Sequence, residues 1–325
     1  NGDDMIKDKA FEPIQAAVLE LMEEHKEDWT KPFTDVMAKE MPYNYVTKKN
    51  YQGFNVFWLS MACHYKGYEN NEWATWNQWF ELGGGKKEKV DGKWKIIKPS
   101  TIQVKDKEKA TRIYFWELKQ YEDKNNIDSN GDPEVKSRWF LKVWNVFNIN
   151  QVNGIKAKPK VKKPIKFNVN DFSMVQDYVA NTKAEIKTGG SAYYSPTLDY
   201  IQMPKMAAFN DTKTSNAGEN YYSTLLHELV HWTGHKDRCN RFNKKVDSYS
   251  KEYALEELVA ETGSAMLCVL LGVTNSPRPD HAQYLNHWKN VIRDNPRAIY
   301  TAFSRSSKAI QFLDGLQKTK RKEVA

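Results

Sequence analysis

Apolar residues first recur at helical spacing over 6–27, where Phe11, Ile14, Ala17, Val18, Leu21 and Met22 share one face. The stretch Trp29-Thr30-Lys31-Pro32 stops that pattern. Residues 55–65 and 75–82 read as two further helices, the second closed by Gly83-Gly84-Gly85. The period then changes to two, and 101–105, 111–118 and 138–147 alternate as strands. Between the last two, the polar run 122–136 reads as an exposed loop. Later in the chain, helices are predicted at 171–183, 221–233, 249–271, 281–293 and 297–316. Gly234 ends the second of these and Gly272 closes the third. Short strands at 192–194 and 200–203 flank Ser195-Pro196-Thr197-Leu198-Asp199. No internal repeat is visible. The pattern predicts an α+β chain of two domains: an aromatic-rich α+β domain over 1–154 and a mostly helical domain with a small sheet over 169–325.

Composition places the boundary between them. Nine of the 11 tryptophans precede residue 150. From Lys156 to Lys166, six lysines and two prolines fall within eleven residues. Such a segment cannot bury a face, so 155–168 is read as an extended linker, also suited to touching phosphates. No apolar run approaches the ~20 residues needed to span a bilayer, so no membrane partner is expected. The opening Asn1-Gly2-Asp3-Asp4 lacks the basic-then-apolar order of a signal peptide. Cys63, Cys239 and Cys268 are too far apart for a Cys-x-x-Cys site or a disulfide framework, which points to a reducing cytoplasm. A net charge of +8 favours a polyanionic partner without specifying one.

The sharpest chemistry lies in His227-Glu228-Leu229-Val230-His231. Histidines four apart on a helix project from one face, the spacing needed to grip one tetrahedral Zn²⁺. Glu228, about 100° round from His227, would face a water held by the metal and act as its general base. Leu225, Leu226, Leu229 and Val230 predict that this helix is buried. Three residues are candidates for the third ligand. Glu257 ranks first: it shares a helical stripe with Glu261, which would accept the other N–H of a ligand histidine and fix its tautomer. Glu256 beside it reads as a solvated helix start. Asp237 ranks second, by analogy with peptidases in which a Gly turn delivers the ligand. His235 ranks third. The strand at 200–203 is a candidate edge strand for binding extended substrate, and Tyr193 or Tyr194 a candidate oxyanion donor.

The first half interleaves aromatic and basic residues, the two ingredients that hold single-stranded nucleic acid. Most of its aromatics are expected in the core, Trp76 and Trp79 among them. Tyr43, Tyr45, Tyr51 and Trp73 flank loops and are the stacking candidates; Lys48, Lys49, Lys86, Lys87 and Arg112 are the phosphate candidates. The triple glycine lacks the Gly-Lys-Ser/Thr ending of a P-loop.

Together these stretches resemble the ArdC antirestriction family, an organisation shared with plasmid TraC-type primase proteins. In the first half the resemblance rests on Trp29-x-Lys31-Pro32-Phe33, Asn44 through Tyr51-x-Gly53-x-Asn55, Trp73-Ala-Thr75-Trp76-x-Gln78, Leu82-Gly83-Gly84 and Val146-Phe147-Asn148-x-x-Gln151-x-x-Gly154. In the second it rests on Tyr194-x-Pro196-x-x-Asp199-x-Ile201-x-Met203-Pro204, His227 through His235, and Glu256-Glu257-Leu-Val-Ala-Glu261. The chain departs from the family's pattern at Lys86-Lys87-Glu88-Lys89, near 90–100, and in the length of 120–136. The resemblance implies an N-terminal domain that binds single-stranded DNA without sequence preference and a C-terminal zincin-like metallopeptidase domain. It implies protection of incoming mobile DNA from restriction, and it favours Glu257 as third ligand. A protein substrate, a primase-associated role in conjugation and a purely structural metal are the competing expectations.

Overall fold

A computed structural model describes residues 11–26, 29–127, 133–155, 171–242, 250–274 and 285–317. In chain order its elements are α1 (Glu12–His25), α2 (Lys31–Lys39), β1 (Tyr43–Asn44), α3 (Phe54–Tyr65), β2 (Glu72–Thr75), α4 (Trp76–Leu82), β3 (Lys86–Val90), β4 (Lys93–Lys98), β5 (Gln103–Val104), β6 (Thr111–Ile127), β7 (Pro133–Asn148) and β8 (Val152–Asn153). There follow α5 (Ser173–Thr182), β9 (Glu185–Thr188), β10 (Tyr193–Ser195), β11 (Tyr200–Met203), α6 (Ala217–Trp232), α7 (Lys251–Leu270), α8 (Leu285–Asp294) and α9 (Ala298–Gly315). The α+β expectation holds.

The expected boundary at 155–168 divides the sequence but not the packing. Two compact units are interleaved: Asn1–Pro42, Asn50–Asn71 and Lys158–Ala325 form one, Tyr43–Lys49 and Glu72–Ala157 the other. Aromatic residues tie the early helices into the first unit. Phe57 stacks on Phe303 with centroids 4.2 Å apart, Phe33 meets both edge-on, and Trp29 abuts Trp288. The lysine-rich linker lies outside the described residues apart from Ile155 at its start.

Within the first unit, α1 buries Ile14, Val18, Leu21 and Met22 along one stripe, as the spacing predicts. Pro32 does not end a helix; it opens α2 from its first turn, where its missing N–H costs nothing. A three-stranded sheet runs β10–β11–β9. The strand at 200–203 is therefore central, antiparallel to β10 and parallel to β9, and both its edges are already bonded. It cannot accept an added substrate strand, which corrects that expectation. Helix α6 starts with a reciprocal cap between Asn216 and Glu219, and α7 starts at Ser250, whose hydroxyl accepts from Tyr253 N. Gly263 of α7 faces Val230 of α6; a Cβ there would sit 3.0 Å from Val230 Cγ2, so the glycine permits this close helix approach.

In the second unit a four-stranded sheet runs β1–β2–β7–β6. The predicted loop at 122–136 is mostly strand: β6 continues to Ile127 and β7 resumes at Pro133. Cross-strand bonding such as Glu122 opposite Val135 satisfies the backbone, so the ribbon needs no apolar alternation. Ala74, Trp79, Ile102, Ile149 and Val152 form a small core, and Trp79 Nε1 donates to Phe147 O at 3.1 Å. The triple glycine serves packing here. A Cβ on Gly83 would lie 2.1 Å from Ser100 Oγ and 2.5 Å from Ile102 N. A two-stranded hairpin, β3–β4, follows it, where the sequence pattern predicts no element.

Candidate metal centre

Helix α6 carries Leu225, Leu226, Leu229 and Val230, all essentially inaccessible, on the surface that positions it in the core. This fixes the neighbouring stripe, so His227 and His231 are buried too and face α7. Their Nε2 atoms lie 3.1 Å apart. Glu257 reaches both: Oε2 is 3.4 Å from His227 Nε2, and Oε1 is 3.4 Å from His231 Nε2. Among the described residues these three form the group whose donor atoms converge on one point.

The triangle can be tested against a metal directly. Ligands about 2.0–2.1 Å from a tetrahedral Zn²⁺ stand about 3.4 Å from one another. The two imidazole nitrogens stand 3.1 Å apart and each lies 3.4 Å from its own oxygen of the Glu257 carboxylate, spacings close enough for the three side chains to share one ion. Two imidazoles and one carboxylate are a donor set that could hold a divalent metal ion. The electrostatics agree. Burial opposes the charged imidazole of His231, but Glu257, Glu256 and Glu228 outweigh it and raise its pKa to about 10. Burial likewise opposes ionisation of Glu257, yet His231 and His227 hold it well below the usual carboxylate range. This pocket of carboxylates favours a positive charge at its centre.

Each histidine has a carboxylate behind it. Glu261 Oε2 lies 3.8 Å from His227 Nδ1, too long for a hydrogen bond, and that buried nitrogen has no hydrogen-bond partner among the described residues. Glu256 Oε1 stands 3.3 Å from His231 Nδ1. Glu256 is not a solvated helix start; it is buried, and Arg241 clamps it with Nε to Oε2 at 2.9 Å and Nη2 to Oε1 at 2.8 Å. Arg241 also donates to Val230 O and Thr233 Oγ1, joining the end of α6 to α7. Burial raises the Glu256 pKa, but His231 and Arg241 together bring it below the ordinary value. Glu228 follows His227 on α6 and is buried beside the triangle.

His235 and Asp237 are not brought to this point. They pair with each other at 3.4 Å, and the Asp237 side chain is 72% exposed. Tyr194 is engaged elsewhere. Its hydroxyl donates to Asp199 Oδ1 at 2.8 Å and accepts from Arg238, and burial, with Asp199, pushes its pKa up. Tyr193 is exposed and bonds Tyr200 and Gln202.

The nucleic-acid candidates divide sharply. Trp73 is 0% exposed and Tyr51 is buried, so neither ring can stack on a base; both expectations are corrected. Tyr43 donates to Glu72, and Lys48 lies over the Tyr45 ring, 3.8 Å from its centre. Lys49, Lys86 and Arg112 are exposed. Lys87 bonds Asn77 Oδ1 and stands near the rings of Trp76 and Trp94. Sequence reasoning missed Arg241 and Glu256. A doubled Glu beside Glu257 was a signal for Glu256; Arg241 lies outside any periodic element and offered none.

Comparison with known proteins accounts for both halves. Residues 8–147 match the N-terminal domain of anti-restriction factor ArdC, and residues 173–305 match a zincin-like metallopeptidase. An uncharacterized protein y4eC of Sinorhizobium fredii is 30% identical over 313 residues, covering 94% of this chain and 92% of that protein. DNA primase TraC of Escherichia coli is 28% identical over 327 residues; the chain covers 27% of that protein, and 19% of a second TraC. The metal-free crystal structure of the antirestriction ArdC protein from plasmid R388 is 30% identical, with a TM-score of 0.70 over 96% of this chain and 99% of that one. Its Mn(II)-bound structure is 29% identical, with a TM-score of 0.68 over the same shares. With an ArdC N-terminal domain, a zincin-like domain and relatives aligned over nearly its full length, the chain belongs to the ArdC family of antirestriction proteins.

Proposed function

We propose that this protein protects incoming mobile DNA in the cytoplasm by binding single-stranded DNA and by peptide-bond hydrolysis at a zinc centre held by His227, His231 and Glu257. The observation that carries the reading is the buried cluster in which one Glu257 carboxylate reaches both His227 and His231 at 3.4 Å. Zinc suits two imidazoles and a carboxylate; the Mn(II)-bound relative makes manganese the competitor. When bound, the metal supplies Lewis acidity to the scissile carbonyl and lowers the pKa of water. Glu228 takes the proton of the attacking water on its carboxylate and passes it to the leaving amine. Glu256 and Arg241 orient His231, Glu261 stands 3.8 Å behind His227 as its charge partner, and the apolar flank of α6 keeps the site dry.

Purified protein loaded with Zn²⁺ or Mn²⁺ is assayed for bound metal and for cleavage of unfolded, dye-labelled casein. Glu228→Gln is expected to keep the metal and lose about 10²–10⁴-fold in cleavage rate. Stoichiometric metal with equal activity, or none, in both proteins would instead support a structural metal. A second reading, a primase-associated role in conjugation, rests on the TraC similarity. Primer synthesis on single-stranded template would support it, and its absence would remove it.

A further inference from the structure

The β3–β4 hairpin is mostly exposed. Six lysines, at 86, 87, 89, 93, 95 and 98, face only Glu88 and Asp91 within its thirteen residues. All six positions of β4 are exposed. Register places Trp94 opposite Lys89 and Ile96 opposite Lys87, so these four residues share one side of the ribbon. Ile96 helps line a cleft of ≈ 230 Å³ whose other walls include Trp76, Phe80 and Pro99. Trp76 and Phe80 stack at 4.9 Å with planes 13° apart. Lys87 Nζ stands 5.9 Å from the Trp76 ring centre and 5.3 Å from that of Trp94. Trp76 is 41% exposed and Trp94 65%; Trp144, on β7 and outside the hairpin, is 46% exposed.

We infer that this hairpin and the start of α4 form the base-stacking platform of the protein: Trp94 and Trp76 offer ring faces to bases of a single strand, and the hairpin lysines follow its phosphates. The inference rests on the single-stranded DNA reading above and assigns it to residues. Charge selects the partner class, because an apolar protein surface gains nothing from six lysines, whereas a polyanion does. Exposed indoles select single strands, because a duplex keeps its base faces buried in the stack. Lys87 holds the two indoles about one cation and so spaces the platform.

The test uses the full chain, a fluorescein-labelled oligothymidylate at low salt and fluorescence anisotropy. Trp94→Ala is expected to weaken binding about ten-fold. Trp144→Ala, an exposed indole on β7, should stay within about two-fold. Lys95→Gln should reduce the slope of log affinity against log salt by about 0.7. Because Trp94 packs in no core, an unchanged urea midpoint is expected and separates a lost contact from a lost fold. If the wild type binds but Trp94→Ala and Trp76→Ala/Trp94→Ala bind equally well, the platform is elsewhere, as it would be if this face docked a protein. If the wild type binds no oligonucleotide, the single-stranded DNA reading itself falls, and this inference with it.

Discussion

Two regions of this protein are crowded with charge and treat it in opposite ways. On α6 and α7, His227, Glu228, His231, Glu256, Glu257 and Glu261 are all buried. On β3–β4, five of six lysines are exposed and Lys87 is half-buried. A buried charge without a partner costs several kcal/mol, so each carboxylate among the helices is matched to an imidazole, a guanidinium or the place of a cation. An exposed lysine is hydrated and screened, so it requires no fixed neighbour. The first arrangement suits one ion in one geometry. The second suits an irregular polyanion, where the number of charges matters more than the placement of any one.

This contrast orders the expected effects. Glu257→Ala should act most strongly: elemental analysis should find metal affinity reduced more than ten-fold, since one of three ligands is lost. Retained stoichiometric metal would show that another group completes the site. Arg241→Ala leaves Glu256 buried with only His231 for company, and urea unfolding should show a loss of about 3 kcal/mol. Gly263→Ala sets a gain in helix propensity of about 1 kcal/mol against an overpacking cost of about 1–3 kcal/mol at Val230. A net loss near 1 kcal/mol is expected, accompanied by weaker metal binding as α7 moves off α6.

Asp199→Asn probes the half-exposed Arg238 pair and should cost under about 1 kcal/mol at neutral pH. Arg238, with Tyr194, holds the Asp199 pKa below its ordinary 3.8. The contribution is therefore present above that value and lost as pH falls through the lower folded value, so variant and wild type should converge in acid. Lys95→Gln should move stability by no more than about 0.5 kcal/mol, while still changing the salt dependence of DNA binding. A large stability loss there would mean the hairpin is structural, and the contrast would collapse.

The helices that build the metal centre were legible because their apolar spacing is strong: Leu225, Leu226, Leu229 and Val230 announce the buried side of α6. Glu257 was legible as a carboxylate on an otherwise apolar helix. Arg241 was not, since its role depends on a turn folding back ten residues beyond His231, and no local pattern encodes that return. The strand at 200–203 was found but misplaced at an edge, because alternation cannot tell which side of a strand will find neighbours. Trp73 and Trp76 illustrate the same limit. They lie three residues apart in one motif; strand β2 buries the first, while the first turn of α4 turns the second outward.

By itself the sequence determined the residue types and the spacing of the chemistry: two histidines one helical turn apart, a glutamate between them, and a basic aromatic half. Those follow from helix geometry and from charge, which are local. Only the tertiary structure decided which carboxylate closes the donor triangle, which one braces His231, and which indoles face solvent. Each of those depends on contacts between elements remote in sequence, where close packing and the cost of an unpaired buried charge choose among residues that the sequence can only rank.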